Sequence, residues 1–327
     1  MPLQDVTVSI SVAYPAPRIG LGRPVIFTQK TGASSYEEYS TLDALKTDYI
    51  ETTATYKKAA AIFAQPNRPD IVAVATYDAS IGAALAEFYN RPWHFALIAN
   101  DLEADQVAAA GFINDKDFKF VAVQVKDDAG REAVKDKKRT LVFDHNITDE
   151  HLDAATIGNL ASLPVGSITW KFKGVVGITP RYLNDTEIAA IDTDNAIAYV
   201  VKAGKAQLSE GKLSNGEYID VIHGQDWVKA DMENEVQHAL SQADKLPYDH
   251  RGINAIEAAA TTTLQRGFSN GIIASTADGL PDFTITALDR NQVDPADRVN
   301  REYHGLSFEF GNAGAIHEAR IKGSIRI

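Results

Sequence analysis

The sequence predicts an α/β layer with a largely parallel sheet, then an α+β region, with an extended β-strand arm at each end of the chain. Three observations carry this reading. Between Pro24 and Phe143 short apolar runs alternate with segments of helical period. Runs that are apolar throughout belong to strands covered by helices on both faces. Further along, Trp227, Met232, Val236 and Leu240, then Ile253, Ile256, Ala260, Leu264 and Phe268, form the strongest helical periodicity, with short strand-like segments around it. At the two ends the period is two. Val6, Val8, Ile10 and Val12 alternate with Asp5, Thr7, Ser9 and Ser11, while Ala319, Ile321, Gly323, Ile325 and Ile327 alternate with Glu318, Arg320, Lys322, Ser324 and Arg326. Chain ends ordinarily fray. A terminus patterned as a half-buried strand either closes its own sheet or pairs with the open edge of a neighbouring subunit.

The elements follow in order. After the first strand, the stretch from Tyr14 to Pro24 alternates X-Pro extensions with glycines, and Pro15, Pro17, Gly20 and Gly22 make it a hinge. About ten extended residues of such a tether cover ~30 Å. Pro24 to Thr28 is a strand, and Thr41 to Tyr49 and Thr53 to Ala64 are helical. Strand Ile71 to Thr76, helix Ala79 to Tyr89, strand His94 to Ala99, helix Leu102 to Phe112, strand Phe118 to Val125, a short helix near Arg131 and strand Thr140 to Phe143 come next. A helix from Thr148 to Leu160 has Thr148 and Asp149 as candidate N-caps. Gly166 to Thr179, with Trp170, Phe172, Val175, Val176 and Ile178, reads as one or two strands. Helix Asp185 to Ile191 precedes strands Ala196 to Lys202 and Glu217 to Ile222, with Ser214, Asn215 and Gly216 as a hairpin turn. Lys245 to Tyr248 separates the two long helices. Strand Phe283 to Leu288, a polar turn around Asp294 to Arg298, strand Leu306 to Phe310 and the final strand complete the chain. The expected divisions are an arm and tether over 1–23, an α/β domain over 24–182, an α+β domain over 183–312 and a closing strand over 313–327.

Composition narrows the function classes. Of 327 residues, 45% are hydrophobic and 23% charged, which describes a well-packed chain. A net charge of −12 argues against nucleic acid and anionic membranes as partners, since both require clustered Lys and Arg. The short run Lys135, Lys137, Lys138, Arg139 reads as a solvated turn. There is no cysteine, so disulfides, thiolate nucleophiles and cysteine-based metal sites are excluded. The opening residues Met1 to Asp5 lack the basic and apolar regions of a secretory signal. Apolar runs such as Ile71 to Ala75 are far shorter than the ~20 residues of a membrane span. Synthesis in the cytoplasm is expected, and the sequons at Asn146 and Asn184 are expected to be chance.

The searches for catalytic and ligand motifs return little. Gly20-Leu21-Gly22 leads into Arg23-Pro24 and a strand rather than a helix, so it is not a phosphate loop. The segment Asp144 to Asp153 holds the densest set of metal-ligand types, but His145 and His151 are six residues apart and do not share a helical face. It reads as a solvated, helix-capping loop. Asp192-Thr193-Asp194-Asn195 opens like a calcium loop, yet Ile197 and Ala203 stand where the glycine and the bidentate glutamate belong. Tyr248-Asp249-His250 lacks a nucleophile signature and reads as a helix N-terminus. Trp170 and Trp227 are expected in cores, and Trp93, after Pro92, as a cap on the sheet. No catalytic, cofactor or metal residue is assigned.

Two segments resemble a known family. The run Tyr218 to Ala230, continuing through Leu246-Pro247-Tyr248 to Gly252-Ile253-Asn254-Ala255-Ile256-Glu257-Ala258-Ala259, is similar to the C-terminal half of phage proteins that resemble contractile-tail sheath subunits. So are Pro295-Ala296-Asp297-Arg298, Gly305-Leu306-Ser307-Phe308, and Ala313-Gly314-Ala315-Ile316-His317 with the closing strand. These cover about the last third of the chain. The resemblance implies a non-enzymatic subunit of a phage tail in the virion, without cofactor, homo-oligomeric as hexameric rings stacked helically. Its partners would be the tail tube, baseplate and tail-terminator proteins. It also implies that both terminal arms join neighbours by completing a sheet, which would make Val6, Val8, Ile10, Val12, Ala319, Ile321, Ile325 and Ile327 the linking residues. A tube or baseplate subunit of the same tail, and a small-molecule enzyme with its ligand at the C-terminal edge of strands Ile71–Thr76 and His94–Ala99, are the alternatives.

Overall fold

The computed structural model describes residues 21–147 and 149–323. The α/β layer runs β1 (Pro24–Gln29), β2 (Tyr36–Tyr39), α1 (Leu42–Lys46), α2 (Ala54–Phe63), β3 (Val72–Tyr77), α3 (Ile81–Phe88), β4 (Phe95–Ile98), α4 (Glu103–Lys116), β5 (Phe120–Val125), α5 (Asp128–Ala133), β6 (Thr140–Asp144) and α6 (Leu152–Leu160). Its sheet has the order β2-β3-β1-β4-β5-β6, parallel except for the edge strand β2. The five parallel strands are buried on both faces, as their largely apolar composition requires. Alternate residues feed two cores. Ile26, Val72, Val74, Phe95 and Leu97 pack with Leu45, Ala59, Ile62 and the wholly buried helix α6 on one face. Val25, Phe27, Ala73, Ala96 and Ile98 pack with Ile81, Leu85, Phe88, Ala109 and Ile113 on the other. Lys58 of α2 ties the first face together, with its ammonium 2.7 Å from Asp101 Oδ1 and against the fully buried carboxylate of Asp153 on α6.

Then follow α7 (Asp185–Thr193), β7 (Tyr199–Lys202), β8 (Lys205–Leu208), α8 (Ile219–Gln242), α9 (His250–Ser269), β9 (Phe283–Ala287), α10 (Pro295–Asn300) and β10 (Leu306–Phe310). Ile191, Ala196, Ala198 and Val200 join one sheet core, and Ile197, Tyr199, Leu208, Leu213 and Ile219 the other. Residues 185–219 therefore share the cores of the region expected to end at residue 182. A third core belongs to α8 and α9, built from Trp227, Val228, Met232, Ala260, Leu264, Ile272 and Ile273, and it also takes in Leu21 and Val165.

Several expected elements are corrected. Strand β2 was not foreseen. The helix expected from Thr148 starts at Leu152, because the side chain of Gln124 on β5 accepts from Leu152 N at 2.6 Å and caps it from across the sheet. Asp149 stands outside it in a left-handed conformation, paired with Lys57. Residues 166–179 form no strand. Their backbone is held by side chains instead of a ladder: Asn159 donates to Gly174 O at 2.8 Å, Gln65 bonds both Val176 N and Val176 O, and Tyr199 Oη accepts from Val175 N. Glu217 to Ile222 leads into α8 rather than a strand, although the preceding turn does close with a bridge between Lys212 and Tyr218. The polar turn at Asp294 is the N-cap of α10, with Pro295 at the first helical position, where its missing N–H costs nothing.

Candidate subunit interface

The features that bear on association are an open two-stranded sheet and the anchorage of the first and last described residues. In the sheet, β9 and β10 pair antiparallel, with Phe308 opposite Ile285 and Glu309 opposite Thr284. Gly311 N donates to Asp282 O and Leu288 N to Gly305 O. By alternation along the ladder, Thr284, Thr286, Ser307 and Glu309 therefore bond inward, and the backbone groups of Ile285, Ala287, Leu306, Phe308 and Phe310 face the outer edges. Among the described residues, neither strand has a second partner strand. Phe283, Ile285, Leu306 and Phe310 lay one face of the sheet on the α8–α9 core. The result is a packed platform with two unpaired edges, each able to accept an extended strand.

The N-terminal root is rigid. Leu21 is buried, its carbonyl 2.9 Å from Nε2 of the buried His223 on α8. Gly22 lies so close to α6 that a Cβ there would come within 2.1 Å of Ala161 O. His223 stacks on His94 at the start of the sheet, with ring centroids 5.3 Å apart. Asp226 completes the cluster, 3.2 Å from His94 Nε2 and 2.6 Å from Arg139 Nη1. Burial drives His223 down to about 3 and also lowers His94, the carboxylate of Asp226 opposing this only in part. Both rings are therefore neutral near pH 7, and the charge of Asp226 is met by Arg139. This cluster bolts α8 to the sheet beside Leu21, where the described chain begins.

At the other end, Ala313 N donates to Ile272 O at 2.9 Å, and the chain then crosses a cavity of about 170 Å³ lined by residues that include Thr169, Asp220, Ile272 and Ala315. Its side chain at His317 returns to the body, with Nε2 2.7 Å from Thr169 Oγ1 and its ring edge-on to Tyr218 at 4.8 Å. Residues 318–323 are exposed and without regular structure.

Comparison with known proteins places this geometry. Residues 219–325 match the family model described as E217 tail sheath protein gp31-like, C-terminal domain. The chain resembles contractile-tail sheath subunits. No protein of curated function matches its sequence. Solved structures share its fold. A chain of the anti-feeding prophage baseplate superposes with a TM-score of 0.75 at 11% identity, covering 94% of each chain. The anti-feeding prophage helical sheath in its contracted state gives 0.70 at 12% identity, over 100% of this chain and 99% of that one. The sheath tail protein from Listeria innocua gives 0.59 at 11%, over 84% and 91%.

In this sheath-like chain the residues singled out from sequence are distributed as follows. Val6, Val8, Ile10, Val12, Pro15, Pro17, Gly20, Ile325 and Ile327 lie outside the described residues. Ala319 and Ile321 are in the exposed C-terminal segment, with Ile321 93% exposed. Gly22, expected within the tether, is fixed against Ala161 as described. Two expected surface features are interior. Arg139 is buried against Asp226 rather than solvated, because the charge of Asp226 on α8 requires a partner there. His145 is fully buried beside Glu150 at 2.8 Å, and Glu150 in turn accepts from Thr179, so the Asp144–Asp153 segment pins residues 178–181 instead of forming a solvated loop. Asp144 sits between Arg131 and Arg181 in the same seam. Asp249 caps α9 through Arg251 N as expected, Trp170 and Trp227 are buried, and Trp93 donates to Phe88 O at 2.7 Å. Asp297, Glu302 and His304 bring three ligand-type atoms within 4.8 Å of one another, His304 Nδ1 lying 3.2 Å from Asp297 Oδ2. That contact accounts for the approach of the first and last. No described helix is long and apolar enough to cross a membrane.

Proposed function

We propose that this chain is a structural subunit of a contractile phage-tail sheath, polymerising around the tail tube by inter-subunit strand addition and contracting to drive the tube through the host envelope. The observation that carries the reading is the open β9–β10 platform, in a chain whose two termini are written as strands. A strand adding to either edge forms several backbone hydrogen bonds, each worth a net ~0.5–1.5 kcal/mol, and buries alternate side chains. The linking residues are Val6, Val8, Ile10 and Val12 at one end and Ala319, Ile321, Ile325 and Ile327 at the other. The hinge is Pro15, Pro17 and Gly20, since Gly22 is already seated. Heterologous contacts of this kind propagate along a helix rather than closing as a dimer, and links on tethers survive while the bodies they join rotate. Itself, the tube, the baseplate and the terminator are the partners, in hexameric rings stacked helically, assembled in the host cytoplasm and carried in the virion. No catalysis is assigned to it. Similarity to sheath chains over nearly the whole length favours this reading over a tube subunit or an α/β enzyme.

Negative-stain electron microscopy of the full-length protein, alone and co-expressed with the tube protein of the same tail, tests the proposal. Hollow striated tubes or stacked rings are expected in at least one of the two. A monodisperse monomer in both would overturn it.

A further inference from the structure

The C-terminal segment is exposed at every residue from Ala313 to Gly323 except one. His317 alone is turned inward, with its side chain 10% exposed, while the preceding Ile316 is 86% exposed. An isolated inward residue in an exposed strap has to be held by what it touches, because the strap itself contributes no ladder. The contacts are directional. Thr169 Oγ1 is 2.7 Å from Nε2, Tyr218 and Phe172 present T-shaped ring contacts at 4.8 and 5.9 Å, and Glu210 Oε2 lies 3.8 Å from Nδ1, itself paired with Lys171. Edge-on aromatic pairs fix orientation as well as adding to burial. Between this residue and the last backbone tie at Ala313, the chain spans the cavity that Gly314 and Ala315 help to line, so packing beneath the strap does not hold it.

We infer that His317 is a positioning residue, a latch that fixes where the C-terminal strand leaves the subunit and thereby which neighbouring edge it reaches. This rests on the sheath reading for its consequence but not for its existence. With the latch closed, the arm begins at residue 318; with it open, it begins at residue 314, and the four added residues extend its reach by ~13 Å. A longer tether from an undefined origin lowers the effective concentration at the correct edge, roughly as the −3/2 power of length, and admits other edges.

The absence of cysteine permits the direct test. Spin labels at Ile316→Cys and Lys205→Cys, both exposed positions, report the distance between strap and body in the monomer. A single narrow distance distribution is expected, broadening at least twofold with His317→Ala and likewise with Thr169→Val, which alters the body and leaves the strap intact. An unchanged distribution in both variants overturns the latch, whatever the protein assembles into. In parallel, tubes formed by the wild type are compared with those of His317→Ala. Loss or irregularity of tubes supports the positioning role, and tubes of normal length and striation from His317→Ala overturn it. Failure of the wild type itself to form tubes, alone or with the tube protein, refutes the sheath reading and leaves the distance measurement to decide the latch.

Discussion

Lys58 is the most consequential single side chain in the α/β layer. It is fully buried, and so is the Asp153 carboxylate it meets, with Asp101 completing the set. A buried pair of this kind contributes little over an apolar replacement of both members, whereas removing one member strands the other charge. Lys58→Ala is expected to cost ~3–5 kcal/mol in urea unfolding, and Lys58→Met with Asp153→Leu to recover much of it. His223 sets an acid limit. Unfolded, its imidazole takes a proton near 6.5; folded, burial holds that proton off down to about 3. Between those values the unfolded state binds more protons, so stability is full above 6.5 and falls as the pH falls. At pH 5 this one residue accounts for about 2 kcal/mol, from 1.5 units at 1.36 kcal/mol each. The drop in urea midpoint between pH 7.5 and pH 5 should therefore shrink in His223→Gln, whose amide can still donate to Leu21 O. An equal drop in variant and wild type would show that His223 is not the group responsible. Neither arrangement announces itself in sequence, because Leu21 and His223 are 202 positions apart and Lys58 and Asp153 are 95 apart.

Elements were legible where packing alone decides them. The parallel strands of the central sheet and the two long helices stand within a few residues of their apolar patterns, since strands covered on both faces are mostly apolar. Misreadings occur where side chains replace the ladder, as in 166–179, or where a helix begins on alternating residues, as at Ile219 and Val221 at the start of α8. Strand β2, with the sequence Tyr-Glu-Glu-Tyr and only Tyr39 buried, carries too few apolar residues to signal itself. The β9–β10 hairpin was foreseen as two strands, but its open edges are a property of topology, visible only once the strands have neighbours. Those edges make a prediction. The amides of Ile285 and Phe308 face outward, so Ile285→Pro and Phe308→Pro remove an edge donor without breaking the internal ladder, a position where proline is tolerated. Each variant should remain a folded monomer by circular dichroism and lose tube formation if its edge receives an arm. Normal tubes from both would remove the platform from the assembly.

At the scale of the whole molecule, deleting residues 1–14 or 318–327 should leave the three cores intact, since among the described residues they are built between Leu21 and Phe310. Thermal unfolding close to that of the full chain is expected, together with loss of tubes under conditions where the full chain forms them. A truncated chain that polymerises normally would show that the arms are dispensable. The placement of the two chain ends has a mechanical corollary. Leu21 is held by His223 and His317 by Tyr218, so both ends are moored at the opening turns of α8. Tension applied between the two termini follows a short load path through that one helix start and bypasses the six-stranded sheet. The α/β layer, fastened to that same helix start through His94, Asp226 and Arg139, then rides with the cord as a rigid passenger while its strands carry none of the load.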